Sequence, residues 1–241
     1  MNNLFLENLF IDLDKNRVDY LVLRGYQKLP HEYSYDIDFS VINERELSSF
    51  FKVLHNLSGL YQFTVSRDVV RVGLLKVFLH FGKEILKIDV FCAFQYAGLE
   101  YMDAEMLHKT KRRLPSGIYV PLLNYELAIS LLKEILHNSR IREDKVVLLR
   151  TQYDSVSFYK PFIKYFTNVN ITDLSIALFS KGNLKFKGLA LKMKFSIFWT
   201  STLNHGLLHT CSSIFYFFQV KYVYQMKYDY VILKNDRFLG K

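Results

Sequence analysis

Asp36, Ile37 and Asp38 set two carboxylates two residues apart within residues 20–41, YLVLRGYQKLPHEYSYDIDFSV. Side chains alternate across a strand, so a strand here places Asp36, Asp38 and Ser40 on one face and turns Ile37, Phe39 and Val41 into the core. Two carboxylates side by side repel each other, and a purely structural strand gains nothing from them. A divalent cation offsets that repulsion, because Mg²⁺ takes hard oxygen ligands. The plainer reading of the dipeptide pattern alone is a solvent-facing edge strand with two acids. A third carboxylate, Asp89, lies in residues 85–91, ILKIDVF, whose β-branched residues mark a strand. Leu86, Ile88 and Val90 form its apolar face, with Asp89 and Lys87 opposite. Upstream, the apolar residues 20–23 end at Arg24-Gly25, and a glycine at that point lets a backbone come close to phosphates.

Periodicity supplies the elements that must hold these groups. Residues 4–15 read as a helix with Leu6, Leu9, Phe10 and Leu13 on one face. Asn43 followed by Glu46 resembles a capping box, opening a helix striped by Leu47, Phe50, Phe51, Leu54 and Leu57 and closed by Ser58-Gly59. Residues 60–65 and 69–81 have strand character, and Gly82-Lys83-Glu84 is a turn into the Asp89 strand. The expected fold class is α+β: a mixed or antiparallel sheet with flanking helices, its carboxylates grouped on one open face. Residues 98–103 read as a connection, and residues 118–120 as a short strand closed by Pro121. Lys109, Lys111, Arg112 and Arg113 form a basic run, either a solvated turn or a contact for phosphate or acceptor. Asn124 is the expected cap of a helix over residues 125–137. Composition shifts near residue 141, with helical patterns at 143–150 and 173–179 and a dense run of aromatics at 196–224. The expected division is a catalytic core over residues 1–122 and a mainly helical region over residues 123–241.

The apolar strand ending at Gly25, the Asp36-x-Asp38 strand and Asp89 on a later strand together resemble the DNA polymerase β-like nucleotidyltransferase superfamily. The resemblance runs over about residues 5–137, and LRGYQKLPHEYSYDIDF is similar to minimal bacterial members found among surface-polysaccharide genes or fused to a kinase-like domain. It implies a metal-dependent nucleotidyltransferase that moves a nucleotidyl group from an NTP, such as ATP, to a hydroxyl acceptor on a small molecule, glycan or protein. Asp36, Asp38 and Asp89 would be the catalytic and metal-ligating residues, holding two Mg²⁺ (or Mn²⁺) ions about 3.5–4 Å apart. Arg24, Gly25 and Tyr26 would meet the nucleotide phosphates, and Lys133 on the following helix is the candidate for a further phosphate contact. One departure stands out: the family usually carries Ser after the glycine, where this chain has Tyr26. A phospho-alcohol transferase of surface polysaccharide is similar in its own Asp-x-Asp centre. A non-catalytic binding module that keeps the fold is the reading from another class.

Composition narrows the partners. The 241-residue chain is half hydrophobic, with 21 Phe and 17 Tyr, which calls for a packed core and excludes a disordered chain. A net charge of +9 favours anionic partners: nucleotides, nucleic acid or an acidic membrane surface. Cys92 and Cys211 are the only cysteines, and no Cys/His cluster has zinc-ligand spacing. The first residues lack a basic, then apolar, leader pattern, so a cytoplasmic location is expected. Asn204, His205, His209 and Gln219 interrupt the aromatic run, which argues against a membrane-spanning helix. It reads instead as a helical pair packed on the core, or as an interfacial segment whose Lys192, Lys194, Lys221 and Lys227 meet acidic head groups at the inner face of the membrane. No nucleic-acid-binding module accompanies these aromatics, so nucleic acid is not an expected partner. His80 could face the carboxylates from a neighbouring strand. No Ser-His-Asp arrangement is legible by spacing. Residues 235–241 resemble a phosphate-binding loop without its first glycine.

Overall fold

The computed structural model describes residues 3–31, 36–71, 73–138, 166 and 183–226. Five strands form the central sheet: β1 (Tyr20–Arg24), β2 (Asp36–Val41), β3 (Thr64–Arg71), β4 (Leu74–Phe81) and β5 (Glu84–Phe91), in the order β1-β2-β5-β4-β3. Only β2 and β5 run parallel; the other neighbours are antiparallel. The chain is therefore α+β with a mixed sheet. Gly82, at φ +62°, shapes the turn between β4 and β5, where Phe81 pairs with Glu84.

Helices α1 (Asn3–Lys15) and α2 (Glu44–Tyr61) cover one face of the sheet. Leu6, Leu9, Phe10 and Leu13 of α1 meet Phe50, Val53, Leu54 and Leu57 of α2 over Val22, Ile37, Phe39, Leu86, Ile88 and Val90. Phe5 is ringed by Tyr61, Phe63 and Phe81 in edge-on contacts at 5.1–5.4 Å. Such pairs add about 0.5–1.5 kcal/mol each beyond burial, which explains the use of so many aromatics. Asn43 caps α2 by accepting from the Glu46 N–H. The Glu46 carboxylate does not complete a capping box; it accepts from the Asp19 N–H at 2.8 Å and fastens α2 to the start of β1. Gly59 does not end α2. The helix runs on to Tyr61 because Gln62 adopts the left-handed conformation and donates back to the Ser58 carbonyl.

The opposite face carries β6 (Phe94–Tyr96), β7 (Leu99–Met102), α3 (Ala104–Lys109) and α4 (Leu123–Leu132), which passes into a π-helical turn, Lys133–Asn138, while the hairpin of β8 (Arg112–Arg113) and β9 (Tyr119–Val120) lies beside β1 with Ile118 and Val120 in the α1–α2 cluster. Residues 98–103 are thus not a bare connection but half of a β6–β7 hairpin. Asn124 is not the cap of α4. The helix begins earlier, with the Leu122 carbonyl accepting from the N–H groups of Tyr125 and Glu126 and no side chain capping it. Two long helices follow, α5 (Asn183–His205) and α6 (Leu207–Met226), joined at Gly206. Leu189, Ala190, Met193 and Ile197 of α5 pack in one apolar cluster with Leu21 and Leu23 of β1 and Leu127, Leu131 and Leu132 of α4. Among the described residues no helix is long and apolar enough to cross a membrane. The sequence-based helices at 143–150 and 173–179 and the loop-like residues 235–241 lie outside the described residues.

Candidate metal centre

Strand register brings the three carboxylates together. Asp38 pairs with Asp89, and Asp36 with Lys87, across the parallel β2–β5 ladder, so all four side chains leave the same face. One potential ligand oxygen from each of Asp36, Asp38 and Asp89 lies within 4.8 Å of the others. Trans ligands of an octahedral Mg²⁺ are about 4.2 Å apart, so a small side-chain rotation suffices to share one ion. The site is less open than an exposed sheet face: Asp38 is 4% and Asp89 8% exposed. Only Asp36, its side chain 41% exposed, stands at the mouth.

Two internal cations already hold these acids. Arg24 donates from Nε to Oδ2 of Asp38. A bulge between Val22 and Arg24 shifts the β1–β2 register and sets Arg24 opposite Asp38, the kind of re-aiming that bulges perform beside functional sites. Lys87 Nζ lies 3.1 Å from Asp36 Oδ1 and 3.3 Å from Asp89 Oδ2. Burial pulls the Lys87 pKa down, but its hydrogen bonds and the charges of Asp36 and Asp89 outweigh that and leave it above the ordinary value. Oδ1 of Asp38 and Oδ1 of Asp89 are buried and find no hydrogen-bond partner among the described residues. A buried carboxylate oxygen without a partner costs free energy, and a hard cation would satisfy both. The donor set therefore fits Mg²⁺ or Mn²⁺.

The remaining expected site residues are scattered around this centre. Gly25, at φ +71° with open space where a Cβ would stand, follows Arg24 directly. Tyr26 is a buried anchor rather than a phosphate ligand by its side chain: its hydroxyl donates to Glu126 Oε2 and accepts from Arg112 at 3.3 Å. Burial, then the Glu126 carboxylate, push its pKa up to about 12. A cavity of about 600 Å³ opens between the loop after Gly25 and the β8–β9 turn, lined by Lys28, Leu29 and His31 on one side and Leu114, Pro115 and Ser116 on the other. Lys133 sits half-buried where α4 passes into the π-helical turn that packs on α5. His80 pairs with Ile85, four residues along β5 from Asp89, which puts it about 13 Å down the strand; it bonds Ser66 instead.

The basic run faces solvent at Lys109, Arg112 and Arg113, with Lys111 half-buried, and each of its four cations has a partner within the protein. Lys109 pairs with Glu105, Lys111 with Asp19, Arg113 with Asp14, and Arg112 reaches Tyr26 and the Pro121 carbonyl. Beneath the carboxylates runs a chain that spacing did not reveal. Ser40 Oγ is 3.1 Å from His108 Nε2, and His108 Nδ1 is 2.7 Å from Asp19 Oδ1, which Lys111 also contacts at 2.7 Å. The order Ser-His-Asp is that of a nucleophilic triad, but Ser40 is wholly buried and can meet no substrate. The chain instead ties β2, two residues past Asp38, to α3 and to the start of β1. Cys92 is a half-buried thiol whose pKa burial raises to about 11, so it is not a reactive nucleophile. Compared with models of protein families, with curated proteins and with solved structures, the chain matches none.

Proposed function

We propose that this protein is a metal-dependent nucleotidyltransferase of the DNA polymerase β-like superfamily, moving a nucleotidyl group from an NTP to a hydroxyl acceptor. The observation that carries this reading is the convergence of Asp36, Asp38 and Asp89 with two buried, unpartnered carboxylate oxygens among them. Asp36, Asp38 and Asp89 would hold Mg²⁺ or Mn²⁺, which there would lower the pKa of an acceptor hydroxyl and offset charge on the transferring phosphate. Asp38 and Asp89 sit behind Asp36, so substrate enters past Asp36. Arg24 fixes the Asp38 carboxylate, and the open space over Gly25 leaves backbone free for close approach of the phosphates. The cavity beside the Gly25 loop has room for the organic part of a substrate.

The proposed setting is the cytoplasm, at the inner face of an acidic membrane. Residues 183–226 hold five lysines and no Asp or Glu. Leu191, Phe195, Trp199 and Leu203 recur every fourth residue along α5 and are all exposed, which supports the reading of an interfacial helix. A membrane-anchored glycan or lipid-linked acceptor suits that placement. Transfer of a phospho-alcohol from a nucleotide-activated donor is the related activity. The ion pairs that Arg24 and Lys87 make with the carboxylates favour a second reading, a non-catalytic module that retains the fold.

Calorimetry of each common NTP, and of CDP-alcohol donors, with Mg²⁺ separates these. The enzyme reading expects Mg²⁺-dependent binding by the wild type, loss of it in Asp38→Asn, and smaller loss in Asp89→Asn with turnover abolished in both. No Mg²⁺-dependent binding of any donor by the folded wild type would leave the module.

A further inference from the structure

Two cations contact the three carboxylates, and a third lies opposite one of them in the sheet. Besides Arg24 on Asp38 and Lys87 on Asp36 and Asp89, Lys76 is paired with Asp89 across the β4–β5 ladder and stands on the same side of the sheet. The formal charges of these six groups cancel. A free divalent ion therefore meets a weaker attraction than three bare carboxylates would exert. It can reach the unpartnered Oδ1 atoms of Asp38 and Asp89, but to take Asp36 Oδ1 and Asp89 Oδ2 as well it has to displace the Lys87 ammonium from both. A metal chelated by a triphosphate meets a different balance, because the phosphates bring the negative charge that a released ammonium requires.

The geometry allows the release. Lys87 retains 28% side-chain exposure and lies beside Asp36, the acid at the mouth of the site. Its flanking residues Leu86 and Ile88 are buried on the opposite face, so the backbone is held while the four-carbon stem can swing outward. We propose that Lys87 is an exchangeable counterion: it bridges Asp36 and Asp89 when no metal is bound, and passes to the triphosphate when a metal–nucleotide complex enters. The site then takes its metal together with the nucleotide rather than ahead of it. This rests on the nucleotidyltransferase reading for the identity of the phosphate ligand, but not for the competition between lysine and metal.

The test is Mn²⁺ binding by the full chain, read from the electron paramagnetic resonance signal of free Mn²⁺, with and without each NTP, for wild type, Lys87→Met and Lys87→Arg. Thermal unfolding of each variant confirms that it is folded. The wild type should bind Mn²⁺ alone weakly. Lys87→Met should bind Mn²⁺ alone about tenfold or more tighter, because a unit charge at hydrogen-bond distance has gone, and Mn²⁺–NTP about tenfold weaker. Lys87→Arg keeps the charge and should stay as weak as wild type for Mn²⁺ alone. Equal affinity of wild type and folded Lys87→Met for Mn²⁺ alone would overturn the competition even if the wild type binds Mn²⁺–NTP well. Unchanged Mn²⁺–NTP affinity in Lys87→Met would overturn the transfer to phosphate. If Lys87→Met gains Mn²⁺ affinity but wild type binds no Mn²⁺–NTP, the nucleotidyl reading and the transfer fall together while the competition stands.

Discussion

His108 bridges Ser40 and Asp19 inside the protein, its Nε2 3.1 Å from the serine oxygen and its Nδ1 2.7 Å from the carboxylate. The hydrogen bond from His108, assisted by Lys111 and opposed by burial, lowers the Asp19 pKa from 3.8 to about 2. A lowered carboxylate pKa means that the unfolded chain binds the proton more readily, so the stabilisation is present above pH 3.8 and is lost as pH falls through about 2. Because Asp19 is 38% exposed, solvent screening reduces the effect to about 1 kcal/mol. Asp19→Asn should therefore lower stability by about that amount at pH 7, and urea unfolding of the two proteins should converge below pH 2.

Asp38 is the acid whose loss the metal-free protein should feel most. Mutual repulsion alone would make Asp38→Asn neutral or stabilising without metal. The structure reverses that expectation, because Arg24 already pairs with the buried Asp38 carboxylate. Asp38→Asn should cost about 1–3 kcal/mol in metal-free buffer, below the figure for a fully buried pair because Arg24 is partly solvated. Asp36→Asn, at the exposed mouth, should cost less. Chemical denaturation in excess chelator measures both, and an Asp38→Asn protein more stable than wild type would contradict the pairing.

Gly98 bears the close approach of α6 to the β6–β7 hairpin. It has φ +82°, and a Cβ there would stand 2.4 Å from the Ser213 carbonyl oxygen and 3.0 Å from the Phe217 Cβ. Gly98→Ala should destabilise by about 1–3 kcal/mol through this clash and loosen α6. Gly82→Ala shares the left-handed backbone but has no atom within 4 Å, so it should cost about 1 kcal/mol or less. Melting temperatures of the two variants, with hydrogen exchange across residues 207–219, distinguish packing from backbone strain.

The outer face of the helical hairpin should recognise acidic lipid. Phe195 and Trp199 stack with ring centres 6.4 Å apart and are exposed. Replacing both with Glu should abolish sedimentation with vesicles containing phosphatidylglycerol while leaving the melting temperature within a degree or two, as expected of exposed positions away from the core. Sedimentation with neutral vesicles should be weak for both proteins. Self-association of the wild type in the absence of lipid, removed by the same replacements, would assign this face to a second copy of the chain instead.

Much of the sheet was legible in residue order. Alternation in DIDFSV and ILKIDVF announced which side chains share a face, and Lys87, two residues before Asp89, was visible on the acidic side. Leu6, Leu9, Phe10 and Leu13 marked the buried stripe of α1 at helical spacing. Tertiary structure alone decided what those faces meet. The parallel pairing of β2 with β5 is a contact between segments about fifty residues apart, and only it sets Asp38 beside Asp89. Ser40 was expected on an open face, yet α3 delivers His108 over it, because docking of a short helix depends on packing rather than on any local period. The basic run was ambiguous for the same reason: the acids that meet Lys111 and Arg113, Asp19 and Asp14, lie more than ninety residues earlier. Local pattern determines how each segment folds and which side turns inward; which charges neutralise one another is settled by long-range packing, where a few ångströms of separation select the partner.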